Sequence, residues 1–376
     1  MPAGTSPAVE TDEKKERLLV ASQWQLMRWK FFRHKLAVIG LVLLIILYGA
    51  AVFAEFVSPH DPHAYNADRK YHPPMRMRFV DAEGSFHLRP FVYRYIETQD
   101  PVTLLRSYEP DTSTRYPIRM FVRGDEYEMW GLFAGSLHLF GADGTDWYVF
   151  GTDKLGRDVL SRIIYGSRVS LSIGLVGVAV SFFLGIVIGG ISGYVGGVTD
   201  TVIQRIIEFL RSIPKLPLWM ALSIALPPDW SMIKVYFGIS IILSLIGWTG
   251  LARVVRGKFL ALREEDFVMA ARLHGASEGR IIFVHLLPSF LSHVIASLTI
   301  SIPNMILGET ALSFIGLGLQ APAISWGVLL QQAQAIRVLA TSTWLLIPGI
   351  FIIITVLSFN FVGDGLRDAA DPYSNV

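Results

Sequence analysis

Long apolar runs alternate with polar segments through most of the chain, at Leu36–Val57, Val169–Tyr194, Ile203–Leu226, Val235–Ala252, Leu291–Ile315 and Trp344–Val362. As helices, runs of about this length cross roughly 30 Å of hydrocarbon, so the pattern predicts an all-α polytopic membrane protein with six transmembrane helices. The first run follows a long polar N-terminus and the basic cluster "RWKFFRHK". It exceeds the apolar core of a signal peptide and reads as a retained span, 36–57, behind a cytoplasmic segment, 1–35. Two further loops agree: Pro227–Met232 has no Lys or Arg, whereas Arg253–Pro288 holds Arg253, Arg256, Lys258, Arg263, Arg272 and Arg280. Loop 253–288 is therefore predicted to be cytoplasmic, and an even number of spans returns the tail, 367–376, to the same side.

Between the first two runs, 58–165 is polar, Pro-rich and too long for a simple loop. Within it, "MRFVDAEGSFHLRP" and "SLHLFGADGTDWYVF" each place a Gly-containing turn between alternating apolar positions, and "IRMFVRG" alternates likewise. That period of two predicts strands and hairpins. The expected organisation is a small β-rich extracytoplasmic insertion between helices 1 and 2, followed by a five-helix core, 166–366.

Composition supports the class and narrows the chemistry. Of 376 residues, 52% are apolar and 17% charged, and the net charge is +2. A chain this apolar belongs in a lipid bilayer, and its balanced charge offers no footprint for nucleic acid. With no cysteine, disulfides, thiol catalysis and thiolate metal sites are excluded. His60, His63, His72, His87 and His138 fit no metal-site spacing. "GTDKLGRD" lacks the Gly-Lys-Ser/Thr ending of a phosphate loop and falls on the outer side, so this chain is not expected to bind ATP. No metal, cofactor or catalytic residue is predicted.

The polar loop carries the most specific pattern. Phe267, Ala270, Ala271 and His274 fall at i, i+3, i+4 and i+7, predicting a short helix with a face of mostly small side chains, suited to close docking. Gly275 is placed to end that helix at positive φ, Ser277 to cap a second helix with Glu278 in its first turn, and Pro288 to mark the return toward the membrane.

The stretch "AARLHGASEGRIIFVHLLP" resembles the cytoplasmic signature of permease subunits of ATP-binding-cassette importers. "FGTDKLGRDVLSRIIYGSRVSLSIG", "GYVGGVTDTVIQRIIEFLRSIPKLPL", "LSFIGLGLQAPAISWGVLL" and "DGLRDAADP" are similar to the dipeptide and oligopeptide branch, specifically the second of its two membrane subunits. The resemblance covers most of Phe150–Pro372 and implies a type I importer permease fold. It also implies that the loop is a coupling segment seated in a cleft of a cytosolic ATPase. Ala270, Ala271, Gly275, Leu287 and Pro288 match the signature residue by residue, and Asp266, Arg272 and Ala276 share the segment. Met269 and His285 depart from it, standing where the family has an acidic and a hydrophobic residue. The implied partners are a related second permease subunit, two cytosolic ABC ATPase subunits that hydrolyse ATP, and an extracytoplasmic substrate-binding protein. The implied cargo is peptide, with opines, oligosaccharides or nickel as alternatives on the same scaffold, and the implied location is the bacterial cytoplasmic (inner) membrane.

Other residues stand out without a family signature. Gly185, Gly189 and Gly193 form a small-residue face for packing within this subunit or against a partner. Arg205, Glu208 and Arg211 are spaced to pair along one helix face. With Pro214 and Glu309 they are candidates for a gate or path, because intramembrane charge points to function. A secondary transporter with a proton relay would need carboxylates near mid-membrane, whereas Glu208 lies toward the inner end of its run and Glu309 toward the outer end of its own. A membrane-bound enzyme would need a convergent nucleophile, base and metal set.

Overall fold

The computed structural model describes residues 23–99, 101 and 106–370. Most of the expected N-terminal segment, 1–22, and the end of the tail, 371–376, lie outside the described residues. The described chain opens with α1 (Gln23–Arg33) and α2 (Lys35–Val52), joined at His34, whose Nδ1 accepts a hydrogen bond from Ala37 N at 3.1 Å. A break at Phe53 separates α2 from the short α3 (Ala54–Val57).

A four-stranded antiparallel sheet follows, in the order β1 (Arg78–Val80), β2 (Phe86–Gln99), β3 (Arg106–Met129) and β4 (Phe133–Ala142). The first predicted hairpin is present, with Asp81 Oδ1 accepting from Glu83 N and Ser85 N in the turn at 3.1 and 2.8 Å. The second is corrected. The glycine turn near Gly144 does not fold β4 onto "DWYVF"; β4 instead pairs back onto β3, with Met129 opposite Phe133. Trp130 and Gly131 both take positive φ, 55° and 68°, which is the twist a tight hairpin needs. Trp147 and Tyr148 are buried with Met75 and Val92 in a small core beneath the sheet.

The membrane part begins at α4 (Val159–Val195). Helix α4 starts inside what the apolar pattern assigned to the insertion, because polar Asp158 caps it: its Oδ2 accepts from Ser161 N at 2.7 Å. After α4 come α5 (Gly197–Ser212), α6 (Lys215–Ile224), α7 (Met232–Leu262) and α8 (Asp266–Leu273). Then come α9 (Leu287–Ile315), α10 (Trp326–Gln331), α11 (Ile336–Thr341) and α12 (Ile347–Ala370).

Among the described residues five helical stretches are long and apolar enough to cross a membrane: Lys35–Val52, Val159–Val195, Met232–Leu262, Val294–Ile315 and Thr343–Ala370. The predicted third span, Ile203–Leu226, is instead two helices, α5 and α6. Ile213 between them is extended, with φ −85° and ψ 128°. Proline disfavours helical backbone in the residue before it and offers no N–H of its own, so Pro214 ends α5 and starts α6 anew.

Helices α4 and α7 form the most extensive contact, and α12 lies between α9 and α2. Helix α2 is peripheral and exposes Leu36, Ile39, Val42, Ile45 and Ile46, an apolar face that suits acyl chains.

Candidate functional site

The coupling segment is built from local rules. Asp266 opens α8, where its charge favours the positive end of the helix dipole. At the other end Gly275 N donates to Arg272 O at 2.9 Å and Ala276 N to Ala271 O at 3.0 Å. Gly275 has φ +77°; together these are a Schellman ending, which needs a residue at ease in the left-handed region. Ser277 provides no side-chain cap, correcting that expectation; its extended backbone simply precedes the helical turn Glu278–Arg280. That turn runs through a π-helical stretch, Ile281–Leu286, into α9, with Pro288 in the first turn of α9.

Tertiary packing decides which side of α8 faces outward. Val268 is fully buried against α7 and the α9 lead-in, in a core with Leu251, Val255, Phe259, Ile281, Leu286, Phe290 and Val294. Ala271, Ala276 and Leu287 are partly buried at its margin. Arg272 holds the segment to the end of α4, with Nη2 3.3 Å from Tyr194 Oη and the guanidinium 5.7 Å from the ring centroid. The outward side carries Phe267, Met269, Ala270 and Leu273, the last 87% exposed. The small face expected from Ala270 and Ala271 is thus divided, Ala270 out and Ala271 in. Gly275 and Pro288 are also exposed.

Gly185, Gly189 and Gly193 all face α7. A Cβ on Gly185 would lie 2.8 Å from Leu251, one on Gly193 would lie 2.7 Å from Arg256 O, and one on Gly189 would strike Ala252 O. Their contacts are within this chain. At the neighbouring helix end Asp200 on α5 receives Arg256 Nε and Nη2 in two parallel contacts of 2.5 Å, with Ser192 Oγ on the same carboxylate. The Arg256 guanidinium beside Asp200 holds its carboxyl below the usual carboxylate range.

The other candidates do not converge. Arg205 and Glu208 pair at 2.9 Å on an exposed face of α5, with Arg211 exposed on the same helix and Pro214 at its end. Glu309 lies inside the bundle, fully buried on α9. Its Oε1 accepts from Ser325 Oγ at 2.7 Å and Ser313 Oγ at 2.8 Å, and Ser170 Oγ lies 3.4 Å from Oε2. The serines also serve the backbone: Ser325 Oγ accepts from Val328 N at 3.2 Å, Ser170 Oγ from Trp326 N at 3.0 Å, and Ser313 Oγ from Leu319 N at 3.0 Å. One carboxyl therefore ties α4, α9 and the start of α10 together. Sequence reasoning missed this cage; its only local trace is Ser313 at i+4 from Glu309.

"GTDKLGRD" is a structural knot. Asp153 Oδ1 accepts from Leu155 N at 2.8 Å and Arg157 N at 3.1 Å, while Arg157 Nε meets Oδ2 at 2.8 Å. Gly156, at φ +77°, lies against Asn66 O where no side chain fits.

Residues 185–374 match the family described as binding-protein-dependent transport system inner membrane component. The chain belongs to that family. Residues 22–74 match the N-terminal TM domain of oligopeptide transport permease C, so the sheet lies between the two matched stretches. The chain is 41% identical over 224 residues to the dipeptide transport system permease protein DppC of Bacillus subtilis (strain 168), covering 59% of this chain and 68% of that protein. It is 43% identical over 227 residues to the oligopeptide transport system permease protein OppC of Haemophilus influenzae, covering 60% and 70%. A solved structure of the MetNI methionine ABC transporter is similar over 56% of this chain and 96% of that one, at 18% identity and a TM-score of 0.45. The chain is a multi-pass membrane permease subunit of an ABC importer, a transport component rather than a catalyst.

Proposed function

We propose that the chain forms, with a related second permease subunit, the translocation path for peptides delivered by an extracytoplasmic binding protein, and that two cytosolic ATPases drive it through the α8 segment. The peptide cargo rests on the relatives, which are dipeptide and oligopeptide permeases by name. The observation that carries the coupling role is the outward apolar side of α8, Phe267, Met269 and Leu273, between Asp266 and Arg272 and held rigidly by Val268. Exposed apolar side chains on a rigid, charge-rimmed helix suit a protein cleft. Asp266, Ala270, Ala271, Arg272, Gly275, Ala276, Leu287 and Pro288 then shape that contact; the Lys/Arg-rich loop supports a cytosolic position for it, and with α5 and α6 together counted as one broken crossing beside the five long spans, both termini fall on the cytosolic side of a bacterial inner membrane. ATP-driven closure of the ATPases would draw the two docking segments together and switch the path between its two faces.

Co-purification tests the coupling role. Leu273→Asp changes a side chain with almost no intramolecular contact, so it should leave the fold intact and sharply reduce ATPase retention; Gly275→Trp should also reduce retention, by filling the open surface there and by straining the turn at φ +77° that ends α8. Normal retention by both variants would put the docking site elsewhere. Mass spectrometry of molecules released from the binding protein that stimulates the reconstituted ATPase tests the cargo. Mixed short peptides are expected, and a single sugar, opine or nickel ion would replace the peptide reading.

A further inference from the structure

The end of α2 and the tip of the β3–β4 hairpin are one unit. Helix α2 leaves its last carbonyls unpaired at Phe53, and two side chains from elsewhere take them up. Arg168 Nε donates to Ala51 O at 2.5 Å, and Val52 O accepts from both Arg168 Nη2 at 2.9 Å and the Trp130 indole N–H at 2.8 Å. Arg168 also pairs with Glu55, its Nη1 lying 2.7 Å from Oε1. Trp130 belongs to the hairpin turn, so the tip of the sheet is fastened at the height of Val52.

The tip is apolar and outward. Leu132 is 76% exposed, Phe133 62% and Trp130 49%, and beside them Phe53 and Val52 are exposed as well. The rings form a run: Trp130 lies 5.7 Å from Phe53 and 6.4 Å from Phe133, and Phe56 stacks on the exposed Phe121 at 6.2 Å. This patch continues the face that α2 presents through Val42, Ile45 and Ile46. Tryptophan and phenylalanine at the end of a span, with the indole N–H satisfied and the ring facing out, are placed as residues at a membrane–water boundary are placed. Glu126 and Glu128 flank the turn and are exposed, so attraction to anionic headgroups is not what would seat it.

We propose that the β3–β4 tip, through Trp130, Leu132 and Phe133 together with Phe53 and Phe121, is a membrane-interface anchor that sits in the headgroup–acyl boundary beside the end of α2. The occupant is lipid, because the patch is continuous with the lipid-facing side of a span. The inference rests on α2 crossing the membrane and is independent of cargo and of ATPase docking. The insertion is then held at two places, by its covalent joins to α2 and α4 and by this wedge, so the sheet keeps a fixed tilt over the bilayer.

The absence of cysteine makes single-site labelling direct. The full-length chain, in its transporter complex in phosphatidylcholine nanodiscs, is labelled with a nitroxide at Leu132→Cys and, separately, at Ser107→Cys near the other end of β3. The expected result at 132 is an oxygen-to-nickel-chelate accessibility ratio several-fold above that at 107, unchanged when a third of the lipid is made anionic. Equal chelate access at both sites would place the tip in water and overturn the proposal. Exclusion of both oxygen and chelate at 132 would show a protein covering the tip and overturn it equally. An unfolded variant is recognised by loss of the complex on gel filtration, and Leu132 is exposed enough that Phe133→Cys serves as an independent second reporter.

Discussion

Replacing Ser325 by alanine removes two hydrogen bonds at once, and the structure sets the expected cost. The hydroxyl donates to Glu309 Oε1 at 2.7 Å and accepts from Val328 N at 3.2 Å as the cap of α10. A buried acceptor left one donor short costs about 1–3 kcal/mol, and a lost serine cap about 1 kcal/mol. The sum is about 2–4 kcal/mol. Ser170→Ala should cost about 1–2 kcal/mol, since its contact with Glu309 is long at 3.4 Å and its main loss is the acceptor for Trp326 N. Ser301→Ala is the control, because that hydroxyl only returns to Ser297 O of its own helix at 2.9 Å; it should be neutral within about 0.5 kcal/mol.

Thermal unfolding in nanodiscs, read by tryptophan emission, gives the ranking. At roughly 2 °C per kcal/mol, Ser325→Ala should lower the midpoint by about 4–8 °C. Because Glu309 and Ser325 share one network, Glu309→Gln combined with Ser325→Ala should cost less than the two single changes added. A Ser325→Ala midpoint equal to wild type, or a Ser170→Ala loss larger than that of Ser325→Ala, would refute the claim that the cage fastens α10.

Two further outcomes follow from the packing. His72 is 1% exposed and packed among the rings of Tyr95, Tyr108 and Tyr148, and burial pushes it down to about 4. An unfolded histidine takes its proton near pH 6.5, so the insertion should be fully stable above that pH and lose up to about 3 kcal/mol as pH falls from about 6.5 to about 4; His72→Gln should flatten this stretch of the stability–pH curve. On α4, Gly193→Ala would push a methyl to 2.7 Å from Arg256 O and 2.8 Å from Phe259 Cβ, whereas at Gly190 the nearest atom stands 3.6 Å away. Gly193→Ala should cost about 1–3 kcal/mol and Gly190→Ala should be neutral or slightly stabilising, which the same unfolding assay separates.

The long spans were legible because lipid solvation rewards apolarity along a whole run, whatever the helix touches. A proline inside an apolar run marks a bend, yet whether α5 and α6 remain one span depends on Ile213, just before Pro214, being forced out of the helical region, an effect of one residue inside that run. The hairpins show the limit of local signals. "GADGT" has good turn chemistry, but β4 had a competing partner upstream, and a ladder along the long β3 outweighs a short hairpin with "DWYVF". The Glu309 cage was illegible for a different reason. Ser170, Ser313 and Ser325 are ordinary residues in sequence, and only the packing of α4 against α9 and α10 brings them to one carboxyl.

The coupling segment separates what local chemistry decides from what it does not. Its ending is wholly local: Gly275 adopts positive φ because a Schellman turn requires it, and the hydrogen bonds to Arg272 O and Ala271 O follow. Its orientation is not local, because α8 carries apolar side chains nearly all round, Phe267 and Val268, Met269 and Leu273. Only one side can meet α7 and the α9 lead-in, and Val268 fills that place with no exposure at all. Fully burying such a side chain contributes about 1.5–3 kcal/mol, enough to hold a helix this short in one orientation. The remainder must face outward. On α2 an exposed leucine is solvated by lipid, but Leu273 follows Arg272 directly and stands two residues before the turn at Gly275, on a loop rich in arginine and acidic side chains. An apolar side chain that neither the bundle nor hydrocarbon covers is the residue expected to meet another protein, which is why Leu273→Asp tests the coupling role more cleanly than a change at any residue of the family signature.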